Sequence, residues 1–225
     1  GSSWLKVSSI VPIVSGITGT ILTSVSKILT LAGSGFLTSN LIVNFTQASD
    51  SIDINVTVTP SSDTAATVTV PSTVYSNVTA GNVVSVKVTN SDGSASNVVS
   101  KTATAAPSGG TITTSGDYRI HTFTSSGTFV NTVSQSVQYL VIAGGGGGGG
   151  TAGTYGGGGG GAGGYRTNVT GQTSGRGSSA ESALTLSANS HTITVGSGGS
   201  YNNSGNGGTG GNSVFSSITS LGGAG

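Results

Sequence analysis

Apolar and polar residues alternate with period two through much of the first hundred positions. The clearest run is Ile52-Asp53-Ile54-Asn55-Val56-Thr57-Val58-Thr59, with Ile, Ile, Val and Val on one face. Ala66-Thr67-Val68-Thr69-Val70 and Val83-Val84-Ser85-Val86-Lys87-Val88-Thr89 follow the same rule. Lys27-Ile28-Leu29-Thr30-Leu31 and Leu41-Ile42-Val43-Asn44-Phe45 are shorter strands of the same kind. Between them stand turn signals: Gly33-Ser34-Gly35, Thr59-Pro60-Ser61-Ser62-Asp63 and Asn90-Ser91-Asp92-Gly93. This spacing of short strands predicts a β-sandwich. Helical periodicity is absent, so the expected fold class is all-β.

The second half keeps the strands and changes what joins them. Tyr118 to Thr124 alternates, and Gly127-Thr128-Phe129 opens another strand. Val137 to Ala143 is nearly continuous in apolar character, which predicts one strand buried on both faces. It leads directly into seven glycines, Gly144 to Gly150, and a second run of six follows at Gly156 to Gly161. Ala183-Leu184-Thr185-Leu186, Thr192-Ile193-Thr194-Val195-Gly196 and Ser213-Val214-Phe215 complete the set. A glycine run persists either because it stays disordered or because backbones must approach closer than a Cβ permits. The apolar residues before the first run and Tyr165 after the second favour close approach, since disordered linkers seldom carry such anchors.

Composition places the boundary between the halves. Of the 41 glycines, 7 lie in residues 1–107 and 34 in residues 108–225. Serine and threonine number 72 while charged residues make up 6%, so hydroxyls and amides wet this surface. The net charge of +1 comes from scattered cations with no basic stripe, which argues against nucleic acid as a partner. Without cysteine there are neither disulfides nor thiolate metal sites. The apolar stretch from Ile10 to Leu31 is broken by Pro12, Ser15, Gly16, Gly19 and Lys27 and does not read as a membrane span.

Motifs for chemistry are thin. The glycine runs match G-x-G-x-x-G many times, but no helix or ribose-binding acid follows. Gly207 to Phe215 resembles one calcium-binding nonapeptide, and a β-roll needs stacked copies. His121 and His191 lie far apart, each beside threonine, without a second ligand type nearby. No carboxylates pair in a catalytic spacing and no G-x-S-x-G elbow occurs. The expectation is a protein with no catalytic residues, no metal and no cofactor.

Two family resemblances rest on particular residues. Pro12, Leu29-Thr30-Leu31-Ala32-Gly33-Ser34-Gly35-Phe36, Val70-Pro71 and the stretch from Val86 to Asn97 are similar to a TIG-type immunoglobulin-like domain. That family shows a G-x-G-F corner and a late hairpin of the form V-x-V-T-N-x-x-G-x-x-S-N. The resemblance covers residues 9–103 and implies a sandwich used as a spacer or recognition module. The stretch from Tyr118-Arg119-Ile120-His121-Thr122-Phe123 through Val137 to Gly144, Gly160 to Arg166 and Thr192 to Gly196 resembles the glycine-rich domain of bacteriophage tail fibres and related adhesins. Gly207 to Phe215 and Leu221-Gly222-Gly223 extend it. The resulting division is a lead-in at 1–8, the sandwich at 9–103, a linker at 104–116 and a glycine-rich β domain at 117–225, expected to continue beyond the last residue.

The candidate surface contacts are Tyr155, Tyr165, Arg166, Arg176 and Tyr201, which stand in or beside glycine loops. Each tyrosine is either a lid packed over glycine backbone or a ring that stacks on sugars or on outer-membrane protein loops. The resemblances imply a virion structural protein, part of a tail fibre or another projecting fibre, at the virion surface. They imply a homo-oligomer, by analogy a trimer, that joins other virion proteins and contacts a host glycan or outer-membrane protein without membrane insertion. The alternatives are a bacterial surface adhesin or filament subunit, and a capsid decoration protein with a projecting immunoglobulin-like domain.

Overall fold

The computed structural model describes residues 9–116, 118–151 and 157–225. The chain divides into two compact units, residues 1–106 and 107–225.

The first unit holds β1 (Ile13–Thr18), β2 (Ile21–Leu22), β3 (Ile28–Ser34), β4 (Leu41–Gln47), β5 (Ile52–Val58) and β6 (Ala65–Thr69). A single helical turn, α1 (Ser72–Tyr75), precedes β7 (Val83–Thr89) and β8 (Val99–Thr104). One sheet has the order β1-β3-β6 and the other β2-β8-β7-β4-β5. β1 and β2 are consecutive in sequence yet lie in different sheets, and β2 pairs parallel with β8. The corner between them is Gly19, at φ 93°, where a Cβ would lie 2.6 Å from the Ile28 carbonyl oxygen.

Alternation decides what is buried. Leu29, Leu31 and Val68 of one sheet and Val43, Phe45, Val84, Val86 and Val88 of the other form a single apolar cluster. Their neighbours on each strand are exposed or half-buried, as the period of two requires. Asparagine side chains stitch the ends. Asn90 is 2% exposed; it donates to the carbonyls of Ile10 and Gly35 and accepts the amide of Leu37. Asn97 exchanges two hydrogen bonds with the backbone of Val14, acting as an extra strand residue beside β1.

The second unit is built from smaller pieces. They are β9 (Thr111–Ser115), β10 (Tyr118–Thr122), β11 (Gly127–Asn131), β12 (Gln135–Val137), β13 (Leu140–Ile142) and β14 (Tyr165–Thr167). β15 (Thr173–Ser174), β16 (Ser178–Ser179), β17 (Leu184–Leu186), β18 (Asn189–Thr194), β19 (Ser213–Phe215) and β20 (Ile218–Ser220) follow. Four of them make a sheet, β11-β18-β19-β20, and the others pair two by two. The apolar core is small: Phe129, Leu186 and Ile193, flanked by Phe123, Val137, Leu184, Val195 and Phe215. The Phe215 ring meets Phe129 and Tyr139 edge-on, with centroids 6.3 and 6.4 Å away.

Two expectations need correction here. Residues 104–116 are not a linker throughout, because Thr111–Ser115 is β9, hydrogen-bonded along β10, and Ser108 bridges to Val130. Nor is Val137 to Ala143 one strand buried on both faces. It breaks at Gln138-Tyr139, and within it Val141 and Ala143 are buried while Leu140 and Ile142 are 55% and 56% exposed. The short β13 packs one face inward and leaves the other to solvent.

The glycine runs form an ordered bundle whose repeat is three residues. From the central run 143–150, the amides of Ala143, Gly146 and Gly149 donate to the carbonyls of Gly164, Gly161 and Gly158. Those of Gly144, Gly147 and Gly150 donate to Gly211, Gly208 and Gly205. The carbonyls of Gly145 and Gly148 accept from Gly199 and Asn202, and that of Gly144 accepts from Gly223. Segments 158–164, 196–202, 205–211 and 221–225 thus surround one central strand. Partners recurring at every third residue define a polyproline II-like geometry, which makes no internal hydrogen bonds and depends on its neighbours for pairing. Strand periodicity of two is excluded.

Candidate recognition surface of the glycine-rich unit

Close packing explains the glycines one by one. A methyl built on Gly147 would lie 2.1 Å from the Ser200 carbonyl oxygen, and one on Gly146 1.8 Å from that of Ala224. On Gly160 and Gly163 it would lie 2.1 Å from the carbonyl oxygens of Gly146 and Ala143. At Gly158 and Gly159, by contrast, nothing stands within 4 Å. The inner positions therefore require glycine, as the axis of a collagen triple helix does. The outer ones face solvent.

On this frame the candidate residues occupy different places. Tyr165 and Arg166 lie in β14, where Tyr165 is half-buried opposite Ile142. Arg166 is held in a network of side chains. Its Nε and Nη2 donate to the two oxygens of Glu181 at 2.7 and 2.6 Å, and Nη1 donates to the Thr219 carbonyl at 3.1 Å. Glu181 also accepts from the Tyr139 hydroxyl at 2.7 Å and the Ser174 hydroxyl at 2.9 Å. Arg176 lies in a tight 3-10 turn, Gly175–Gly177, between β15 and β16. Tyr201 stands apart from this group, 69% exposed, with its ring beside Gly148. Tyr155 lies outside the described residues.

The network sets its own electrostatics. Hydrogen bonding from Arg166 is the largest influence on Glu181 and lowers its carboxyl pKa to about 2. Burial first, and then the bond to Glu181, push the Tyr139 hydroxyl up to about 12. Arg166 is raised further above its ordinary value by the same carboxylate. Both oxygens of Glu181 are engaged, so the cluster ties β14 to the segment after β16 and to β20. Reading the sequence alone misses Tyr139 and Glu181. One signal for the latter was present, since it is the only glutamate in the chain.

The histidines are likewise occupied. His121 Nδ1 lies 2.8 Å from the Gly109 carbonyl, and His191 Nε2 lies 3.1 Å from that of Ser187. No group of three metal-ligating side chains occurs among the described residues. No helix among them is long and apolar enough to cross a membrane.

Residues 122–225 match a glycine-rich domain family. Neither a curated protein nor a solved structure matches the chain. The family match starts inside the second unit, at the last residue of β10, and takes in every segment of the glycine bundle. The glycine-rich domain thus comprises both the small apolar core around Phe129 and the hydrogen-bonded glycine segments.

Proposed function

We propose that this chain is a non-enzymatic structural protein of a virion, part of a phage tail fibre or another fibre projecting from the particle. The first unit is an immunoglobulin-like, TIG-type spacer, and the glycine-rich domain assembles the fibre or meets the host surface. The observation that carries the reading is the glycine bundle itself. It fixes backbone by hydrogen bonds at every third residue and presents its rims, with Tyr201 exposed on one, on a frame that has few rotamers to freeze. Rims of that kind accept substitutions without disturbing the frame, which suits a change of receptor.

The strand order of the first unit supports the immunoglobulin-like part, since β1 and β2 divide between two sheets and β2 runs parallel to β8. In solution the protein is an oligomer, a trimer by analogy with fibres, and its ligand is a host glycan or outer-membrane protein. Immunogold electron microscopy with an antibody against residues 9–103 tests the reading. Gold at tail or fibre tips is the expected result. Gold on cell envelopes with unlabelled particles overturns it, and gold spread evenly over a shell makes the chain a capsid decoration protein instead.

A further inference from the structure

In a three-residue helix successive amides point about 120° apart, so each column of amides addresses one neighbour. In the central run the column of Ala143, Gly146 and Gly149 serves segment 158–164, and that of Gly144, Gly147 and Gly150 serves segment 205–211. The third column, Gly145 and Gly148, meets no acceptor among the described residues. Both glycines are half-buried. Their surroundings are close: a methyl on Gly148 would lie 3.4 Å from the Gly158 carbonyl oxygen and 3.7 Å from the Tyr201 ring. A methyl on Gly145 would lie 3.6 Å from the Gly161 carbonyl oxygen.

We propose that this open column of amides is a docking site for the exposed glycine segment 157–162 of a second copy of the chain, which adds a strand to the bundle. The proposal rests on the assembly half of the function above. Three observations select the occupant. The open amides recur about 9 Å apart, the repeat of a polyproline II-like strand, whereas acceptors along one side of a β-strand recur about every 6.7 Å. An incoming chain must lack Cβ atoms on its approaching side, because the bundle's own inner contacts leave only about 2 Å for one. Segment 157–162 is exposed along its whole length, and the carbonyls of Gly157 and Gly160, three residues apart, accept no hydrogen bond among the described residues. Residues 143–164 and 196–211 carry no charged side chain, so two copies approach without repulsion and a highly charged partner finds no counter-charge.

Sedimentation of the full chain over a hundredfold concentration range tests this, with Gly148→Val and Gly159→Val as variants. Gly148→Val puts a side chain beside the open amides, and Gly159→Val alters the inserting segment at a position with open space in the single molecule. The expected result is a concentration-dependent oligomer for the natural sequence and at least a tenfold weaker association for Gly159→Val, with unchanged circular dichroism and no loss of melting temperature. Gly148→Val should weaken association equally if it folds. A monomer throughout, or association by folded Gly159→Val equal to that of the natural chain, overturns the proposal. Neither result touches host recognition, which is read separately by adsorption to cells.

Discussion

At the scale of single residues, Gly147 and Gly159 separate the two reasons for glycine. Gly147 is buried and a methyl there would stand 2.1 Å from the Ser200 carbonyl, so backbone must move to admit it. Gly147→Ala is expected to destabilise the glycine-rich unit by about 1–3 kcal/mol or more, by overpacking. Gly159→Ala meets nothing within 4 Å and restricts the unfolded chain, so a small gain of about 0.4–1 kcal/mol is expected. Paired chemical denaturation curves on the full chain read both; equal effects at the two sites would contradict the packing account. Asn90 makes the same point in the first unit. Asn90→Ala leaves two carbonyls and an amide without the partner that joins them, at a cost of about 1–3 kcal/mol in the melting of that unit.

At the scale of elements, the Arg166–Glu181 pair couples β14 to the rest of its unit and makes that unit sensitive to acid. Glu181 titrates near 2 when folded and near 4.5 when not, so its stabilisation is complete above about pH 4.5 and is lost as pH falls towards 2. Tyr139 has the opposite sense, a raised pKa, and stability falls as pH rises from about 10 to 12. Only Asp117 and Glu181 are acidic beyond residue 106, which keeps the reading simple. Arg166 has a side chain 37% exposed, so solvent screens the pair and the change is modest. Melting from pH 6 to pH 2 should slope less in Glu181→Gln than in the natural chain; parallel curves would sink the assignment.

The strands of the first unit were legible because alternation reports burial wherever one face meets a core: β5, β6 and β7 fall where Ile52, Ala66 and Val83 begin their alternating runs. Apolar density alone misled at Val137 to Ala143, where Leu140 and Ile142 face outward. The glycine runs announced close approach but not its repeat of three, since identical residues carry no periodicity to read. Arg166 stands out by its place beside a glycine loop, whereas its carboxylate partner lies fifteen positions on, beyond two short strands, where no sequence spacing would pair them.

At the scale of the whole molecule, the two units rest on different physics. The first buries a continuous apolar cluster between two sheets, so Phe45→Ala should cost about 3–5 kcal/mol there and leave the glycine-rich domain's transition in place. The second has a small apolar core and owes its order largely to backbone hydrogen bonds among segments without side chains. That arrangement underlies both the proposed fibre role and the proposed pairing of copies. Residue-resolved amide exchange on the full chain tests it most directly. Strong protection is expected at Gly146, Gly147, Gly149, Gly161, Gly208 and Gly211, and rapid exchange at Gly159. Exchange at the rate of an unstructured chain through all the glycine segments would contradict it.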